Sequence, residues 1–255
     1  MAETTNVLIT GANRGIGRAL LTIYLSRPNH IVIAGLRNPS HETSQSLLSL
    51  PKASGTTLVL VKIDSSINTD AASAIKVLQE EHGIKHLDLV IANAGTVNYF
   101  GPTIDMPVEE WSKTFQINTI APFLLFQATY PLLQSTLKLK HLMGKFVFIS
   151  SSYGSITTAS NPFPFDCAQY GASKAAMNYV ARKLHGEVED VVVFPAHPGW
   201  LSTEMGKQSA GIKGLEDKLG SVEESTKLLV EQIDGATREK TGGEFVVFDG
   251  SEQAW

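Results

Sequence analysis

Short apolar runs of strand length alternate with longer segments of helical period along all 255 residues, and that alternation restricts the fold more than any single motif does. The strand-length runs are Val7 to Thr10, His30 to Leu36, Thr57 to Ile63, Leu87 to Ala92, Lys145 to Ser150, Val191 to Ala196 and Glu244 to Phe248. They are apolar almost throughout rather than at every second residue, so both faces of the sheet they form should be covered by helices. Between them the helical period is found in Ile16 to Ser26, Asn68 to Glu81, Glu109 to Gln134, Gln169 to Glu187 and Val222 to Asp234. The expected fold is therefore α/β: a doubly wound, seven-stranded parallel sheet flanked by helices, one domain over residues 1–255. Two stretches break the rhythm: the Pro/aromatic loop Asn161-Pro162-Phe163-Pro164-Phe165-Asp166, and the Gly-rich, weakly patterned Leu201 to Gly220.

Composition narrows the function classes. A net charge of −4 with no block of like charges argues against nucleic acid as the partner, since phosphate backbones call for clustered Lys and Arg. The longest apolar run, Ile120 to Phe126, is far short of the roughly 18 residues a membrane span needs. The single cysteine, Cys167, rules out a disulfide within the chain and fits a reducing compartment. With no basic and apolar leader at the N-terminus, the expected location is the cytoplasm.

Directly after the first strand run stands Thr10-Gly11-Ala12-Asn13-Arg14-Gly15-Ile16-Gly17, which opens the first helix. Glycines there let the backbone turn sharply and approach a pyrophosphate, while free N–H groups and the helix dipole stabilise the anion. The strand before and the helix after raise the dinucleotide reading above a simple tight turn. The choice of nicotinamide falls at the end of the second strand, where an acid would bond a ribose 2′-hydroxyl and a base a 2′-phosphate. That position carries no acid but Arg37, and a second cation, Arg14, lies inside the loop; a guanidinium bonds phosphate with two N–H groups at once, so NADP(H) is favoured.

Tyr170-Gly171-Ala172-Ser173-Lys174 opens a helical segment, placing Tyr170 and Lys174 on one face. A neighbouring ammonium and a cationic nicotinamide both favour phenolate, which would bring the phenol toward the range where it exchanges a proton with a carbonyl or alcohol oxygen. The fifth strand run ends in Ser150-Ser151-Ser152, and a hydroxyl there can bond the substrate oxygen. Ala92-Asn93-Ala94-Gly95, Gln116-Ile117-Asn118-Thr119 and Ala196-His197-Pro198-Gly199-Trp200-Leu201-Ser202-Thr203 complete a set that falls at strand ends or in adjacent helices, where open α/β sheets bind ligands.

Taken in order, these motifs cover nearly the whole chain, and together they resemble the short-chain dehydrogenase/reductase family, a single-domain Rossmann fold. The ending Gly243-Glu244-Phe245-Val246-Val247-Phe248-Asp249-Gly250 and Trp255 is similar to the branch of C-factor-like and sniffer-like carbonyl reductases and fungal ketoreductases of the norsolorinic acid type. The resemblance implies roles position by position. Tyr170 would be the general acid or base. Lys174 would lower its pKa and hold the nicotinamide ribose. Ser151 would hold the carbonyl, and Asn118 a water in a proton relay. Gly11, Asn13, Arg14, Gly15, Ile16, Gly17 and Arg37 would hold the cofactor's phosphates, and Asp64, Asn93 and Gly95 its adenosine side. Pro198, Gly199 and Thr203 would lie against the carboxamide or pyrophosphate. It also implies a homo-oligomer.

Two departures stand out: Ala92 replaces the family's usual Asn, and the interval from Ser151 to Tyr170 is lengthened by the Pro/Phe loop, read as one wall of the substrate pocket. Tyr153, Phe163, Phe165, Trp200 and Met205 would make that pocket apolar, suiting a hydrophobic or aromatic, polyketide-type ketone, with 201–220 as a lid.

Rival readings have less support. His82 and His86 have Gly83 between them and no Glu after His82, so they read as surface histidines and no metal is expected. His197 reads as a loop histidine, Cys167 as packing, and Ser135 with Lys138 lacks the companion motifs of a β-lactamase. A redox-inactive dinucleotide sensor, or a cofactor-assisted dehydratase or isomerase, uses the same fold; the sensor would not need the Tyr, Lys and Ser that are present here.

Overall fold

A computed structural model of the chain describes residues 4–160 and 166–255. Seven parallel strands form one sheet in the order β3-β2-β1-β4-β5-β6-β7: β1 (Thr5–Thr10), β2 (His30–Leu36), β3 (Thr57–Lys62), β4 (Leu89–Ala92), β5 (Gly144–Ile149), β6 (Val191–His197) and β7 (Val246–Val247). The helices are α1 (Gly15–Leu25), α2 (Glu42–Gln45), α3 (Asp70–Glu80), α4 (Val108–Phe115), α5 (Ala121–Lys140), α6 (Ala168–Glu187), α7 (Glu204–Gly211) and α8 (Val222–Gly235).

The apolar strands bury both faces, as their composition requires. On one side Leu8, Val90, Phe146 and Phe148 pack with Ile75 and Leu78 of α3, Leu125 and Leu133 of α5 and Met177 of α6. On the other, Val7, Ile9, Ile91 and Val147 pack with Leu20 and Leu21 of α1 and Leu229 and Ile233 of α8. Alternate residues of each strand thus feed two separate cores. Strand order reverses direction at the β1–β4 seam, where Val7 pairs with Leu89 and Ile9 with Ile91. No helix among the described residues is long and apolar enough to cross a membrane.

Three expectations need correction. The segment 109–134 is not one helix: α4 and α5 are separated by a π turn over Gln116–Ile120. Pro122, at the start of α5, has no N–H to give to the carbonyl four residues back, that of Asn118, so the ordinary ladder cannot run through. The last strand shrinks to Val246–Val247, because Phe245 turns inward against Trp255. Leu201 to Gly220, expected as a weakly patterned, Gly-rich stretch, contains the regular helix α7. Thr203 caps α7 by accepting from the Gly206 N–H at 3.0 Å, and Leu201 bridges Gly220, closing the segment at its base. The loop 161–165, with Phe163 and Phe165, lies outside the described residues.

Candidate active site

β1 delivers the chain into the glycine loop. Gly11 (φ +63°) and Gly15 (φ +51°) adopt the left-handed conformation that glycine takes without strain. Gly17 is required for a different reason, since a Cβ there would lie 2.3 Å from the Gly11 carbonyl oxygen. The loop therefore hugs the edge of the sheet and presents the N-terminus of α1, which has no acid in its first turn, at the seam where ligands bind. Thr10, which the motif reading passes over, stitches the seam: its hydroxyl accepts the N–H of Asn93 (3.0 Å) and Ala94 (3.1 Å), while Asn93 Nδ2 donates to the Thr10 carbonyl at 2.8 Å. Asn93 thus braces the loop through its side chain.

Around this cradle, Asn13 Nδ2 donates to Thr43 Oγ1 of α2 at 2.7 Å, Arg14 pairs with Glu204 of α7, and the Ile16 side chain packs into the core. Arg37 is exposed at the end of β2 and makes no ion pair among the described residues. Asp64 follows β3. Burial raises its pKa, but the N–H and hydroxyl of Ser66 and the charges of Arg37 and Lys62 outweigh that and hold the carboxyl below its ordinary value. Thr10, Asp64, Ala92, Ala94 and Pro122 line a pocket beside the seam.

On the other half of the sheet, α6 carries Tyr170 and Lys174 on one face. The Tyr170 phenol lies beside Ser151, which sits just past β5 and lowers its pKa, and its ring lies 6.2 Å from that of Tyr153 in an edge contact. Burial pushes the phenol up to about 12 against the lowering effect of Ser151, with a small further rise from Cys167. Lys174 is buried, donates to the Ile149 carbonyl at 2.7 Å and has its Nζ 5.7 Å from the Tyr170 ring centre; burial brings it down to about 8. The expected acidification of the phenol by this ammonium is absent here, because desolvation dominates both groups and Nζ is turned to the strand carbonyl.

Asn118 sits inside the π turn and is fully buried. Its side chain is committed: Oδ1 accepts from Thr96 N (2.9 Å), and Nδ2 donates to Thr96 O (2.9 Å) and Ser173 Oγ (3.0 Å). Thr96 lies outside every motif, and Ser173 stands inside the Tyr170–Lys174 motif, whose spacing assigns it no role. A Cβ at Gly95 would lie 3.4 Å from Asn118 Oδ1 and 3.7 Å from Lys174 Nζ, so the absence of a side chain there keeps the approach to Lys174 clear.

Past β6, Gly199 (φ +93°) turns the chain, the Pro198 carbonyl accepts from Ser225 Oγ, and Thr203 lies against Gly15. Trp200 donates its indole N–H to Ser209 Oγ at 3.1 Å and so holds α7 in place, while Met205 is half-buried in the first turn of that helix. Cys167 is buried and its thiol pushed up to about 12, by burial first and Asp166 second. Burial brings His197 down to about 4 against the pull of Asp249. His86 lies 3.3 Å from Asp88, and His82 is exposed.

Residues 5–211 match the model of the short chain dehydrogenase family. Norsolorinic acid ketoreductase of Aspergillus parasiticus is 40% identical over 99% of this chain and 92% of its own length, and that of Dothistroma septosporum 38% over 100% and 94%. Among solved structures, an NADPH-bound carbonyl reductase from chicken fatty liver superposes with a TM-score of 0.85 at 28% identity, covering 99% of this chain and all of that one. The carbonyl reductase Sniffer of D. melanogaster gives 0.84 at 25%, with the same coverage. The family model covers most of the chain and these relatives almost all of it, and the chain belongs to the short-chain dehydrogenase family.

Proposed function

We propose that this protein is an NADPH-dependent carbonyl reductase acting on a hydrophobic or aromatic, polyketide-type ketone, or on the matching alcohol in reverse. The observation that carries the reading is the pairing of Tyr170 with Ser151 beside the buried Lys174, on the same edge of the sheet as the glycine loop. The cradle fits a dinucleotide because Gly11 and Gly15 turn the loop tightly onto the N-terminus of α1 and because no acid opens that helix. Arg37, exposed where an acid would select NADH, supports the phosphorylated form. The names of the relatives point to the same chemistry.

The glycine loop and Arg37 would hold NADPH, which when bound would supply the hydride. The neighbouring hydroxyls of Ser151 and Tyr170 mark where a carbonyl oxygen would be held, between Ser151 Oγ and Tyr170 Oη. With its pKa near 12, Tyr170 keeps its proton at neutral pH and can donate it to the oxygen as charge develops. Lys174 supplies positive charge behind the phenol. With the Asn118 side chain fully engaged and Pro122 offering no N–H, the Asn118 carbonyl is the group able to hold a relay water. Asp64, Asn93 and Gly95 would flank the adenosine side, and Pro198, Gly199 and Thr203 the nicotinamide side. Segment 201–220, pinned at Leu201 and Gly220, would act as the lid, with Tyr153, Trp200 and Met205 giving the pocket its apolar character. The reading includes a cytoplasmic homo-oligomer, whose mass sedimentation measures.

NADPH consumption against a panel of ketones tests the assignment. Tyr170→Phe should lose about 10²- to 10⁴-fold in kcat while NADPH binding persists. Equal rates in both proteins would remove Tyr170 from the mechanism, and binding without turnover in either would leave a dinucleotide sensor.

A further inference from the structure

The connection from β5 to α6 leaves the site at Ser151 and returns to it at Tyr170, so whatever fixes this connection shapes the space in front of both hydroxyls. Within 155–160, Ser155 bonds back to Ser152 and Ala159 to Ile156, local turns that anchor nothing beyond themselves. Ile156 is 75% exposed. Among the described residues, the hydrogen bonds tying this stretch to a distant part of the chain are two, both from Thr157 to the main-chain oxygen of Trp255: 2.8 Å from the backbone N–H and 2.5 Å from Oγ1. Trp255 is itself fixed. Its ring lies 5.6 Å from that of the buried Phe245, and the Arg182 guanidinium of α6 stands 5.0 Å over its face while donating to the Gly243 carbonyl at 3.2 Å.

We propose that Trp255 is a positioning residue that latches the substrate-side stretch 155–160 and thereby sets how large a ketone the site admits. The main-chain oxygen of a residue 98 positions from Thr157 in sequence holds the stretch 155–160, and the Trp255 ring, packed on Phe245 and Arg182, holds that oxygen in place. Freed from Trp255, the stretch would keep, among the hydrogen bonds of the described residues, its own local turns alone, and a bulky substrate would lose the wall that orients it.

The kinetic half of the test rests on the reductase reading; the structural half does not. Wild type, Trp255→Ala, Trp255→Phe and Thr157→Val are compared by amide hydrogen exchange, by NADPH affinity and by kcat and KM for a small and a bulky ketone. Trp255→Ala should exchange about tenfold faster across 152–160 with 201–220 unchanged. It should raise KM for the bulky ketone about tenfold, and leave NADPH affinity and turnover of the small ketone alone. Trp255→Phe should restore most of both. Thr157→Val, which keeps the ring packing and loses one hydrogen bond, should speed local exchange about threefold. Unchanged exchange over 152–160, or a rise shared by every segment, overturns the latch. A wild type that reduces no ketone refutes the reductase assignment, and exchange still decides the latch.

Discussion

Tyr170 and Lys174 lie one helical turn apart, and burial moves their protons in opposite directions, the phenol up to about 12 and the ammonium down to about 8. In the reductive direction this suits the phenol, which stays loaded over the whole working range. Lys174 is then the group whose charge varies. The reductive kcat/KM should fall as pH rises through about 8 with the loss of that charge. A pH profile from 6 to 10 reads this, and Lys174→Arg, whose charge persists, should move the falling limb upward even at a lower absolute rate; a limb that stays put belongs to another group. Linkage gives a second reading. Between pH 8 and about 10.4 the unfolded chain holds a proton on Lys174 that the folded chain has released, so the group's contribution to stability rises with pH over that window, and below it the buried ammonium carries its full cost. Lys174→Met should therefore gain more in Tm relative to wild type at pH 7 than at pH 10.

At the scale of elements, the π turn is the one departure from regular helix that bears on the site. The ladder fails because Pro122 cannot donate to the Asn118 carbonyl. Pro122→Ala restores that donor, so α4 and α5 should relax toward one continuous helix, with Tm unchanged or higher and kcat lower by about tenfold as Asn118 rotates away from Thr96 and Ser173. An unaltered kcat would mean that the Asn118 carbonyl has no part in the relay. The same turn marks a limit of sequence reading. Hydrophobic period sees Glu109 to Gln134 as unbroken, because one residue of slippage hardly disturbs the apolar stripe. The buried strands were legible, β2 to the residue, because parallel strands covered on both sides must be apolar throughout. Helix α7 was not, since Thr203 caps a segment of Gly, Ser, Lys and Gln with no stripe to detect. Tyr170, Lys174, Ser151 and the glycines were legible because their spacing is local. Thr96 on Asn118, Glu204 on Arg14 and Trp255 on Thr157 join residues 22, 190 and 98 apart, and no local pattern encodes such pairs.

Across the whole molecule the sheet is two halves, β1 to β3 and β4 to β7, joined along the seam by the short β1–β4 register and the Thr10–Asn93 stitch. A dinucleotide lying over the seam touches both halves and binds the folded chain alone, so it should stabilise the molecule as a unit. At a hundred times its Kd that stabilisation is about 2.7 kcal/mol, or roughly 5–10 °C in Tm for a chain of this length. The size of the shift also reports which cofactor is read. Arg37 stands exposed at the end of β2, whereas Arg14 is paired with Glu204, so on the proposed reading the charge for the 2′-phosphate would come first from Arg37. At equal concentrations NADPH should shift wild type by more than NADH does. Arg37→Gln should bring the two shifts together by lowering the NADPH value, because the phosphate loses its cation while the rest of the cradle is untouched. If NADPH keeps its lead in Arg37→Gln, the 2′-phosphate is held by Arg14, and Glu204→Gln, which releases Arg14, should then widen the lead.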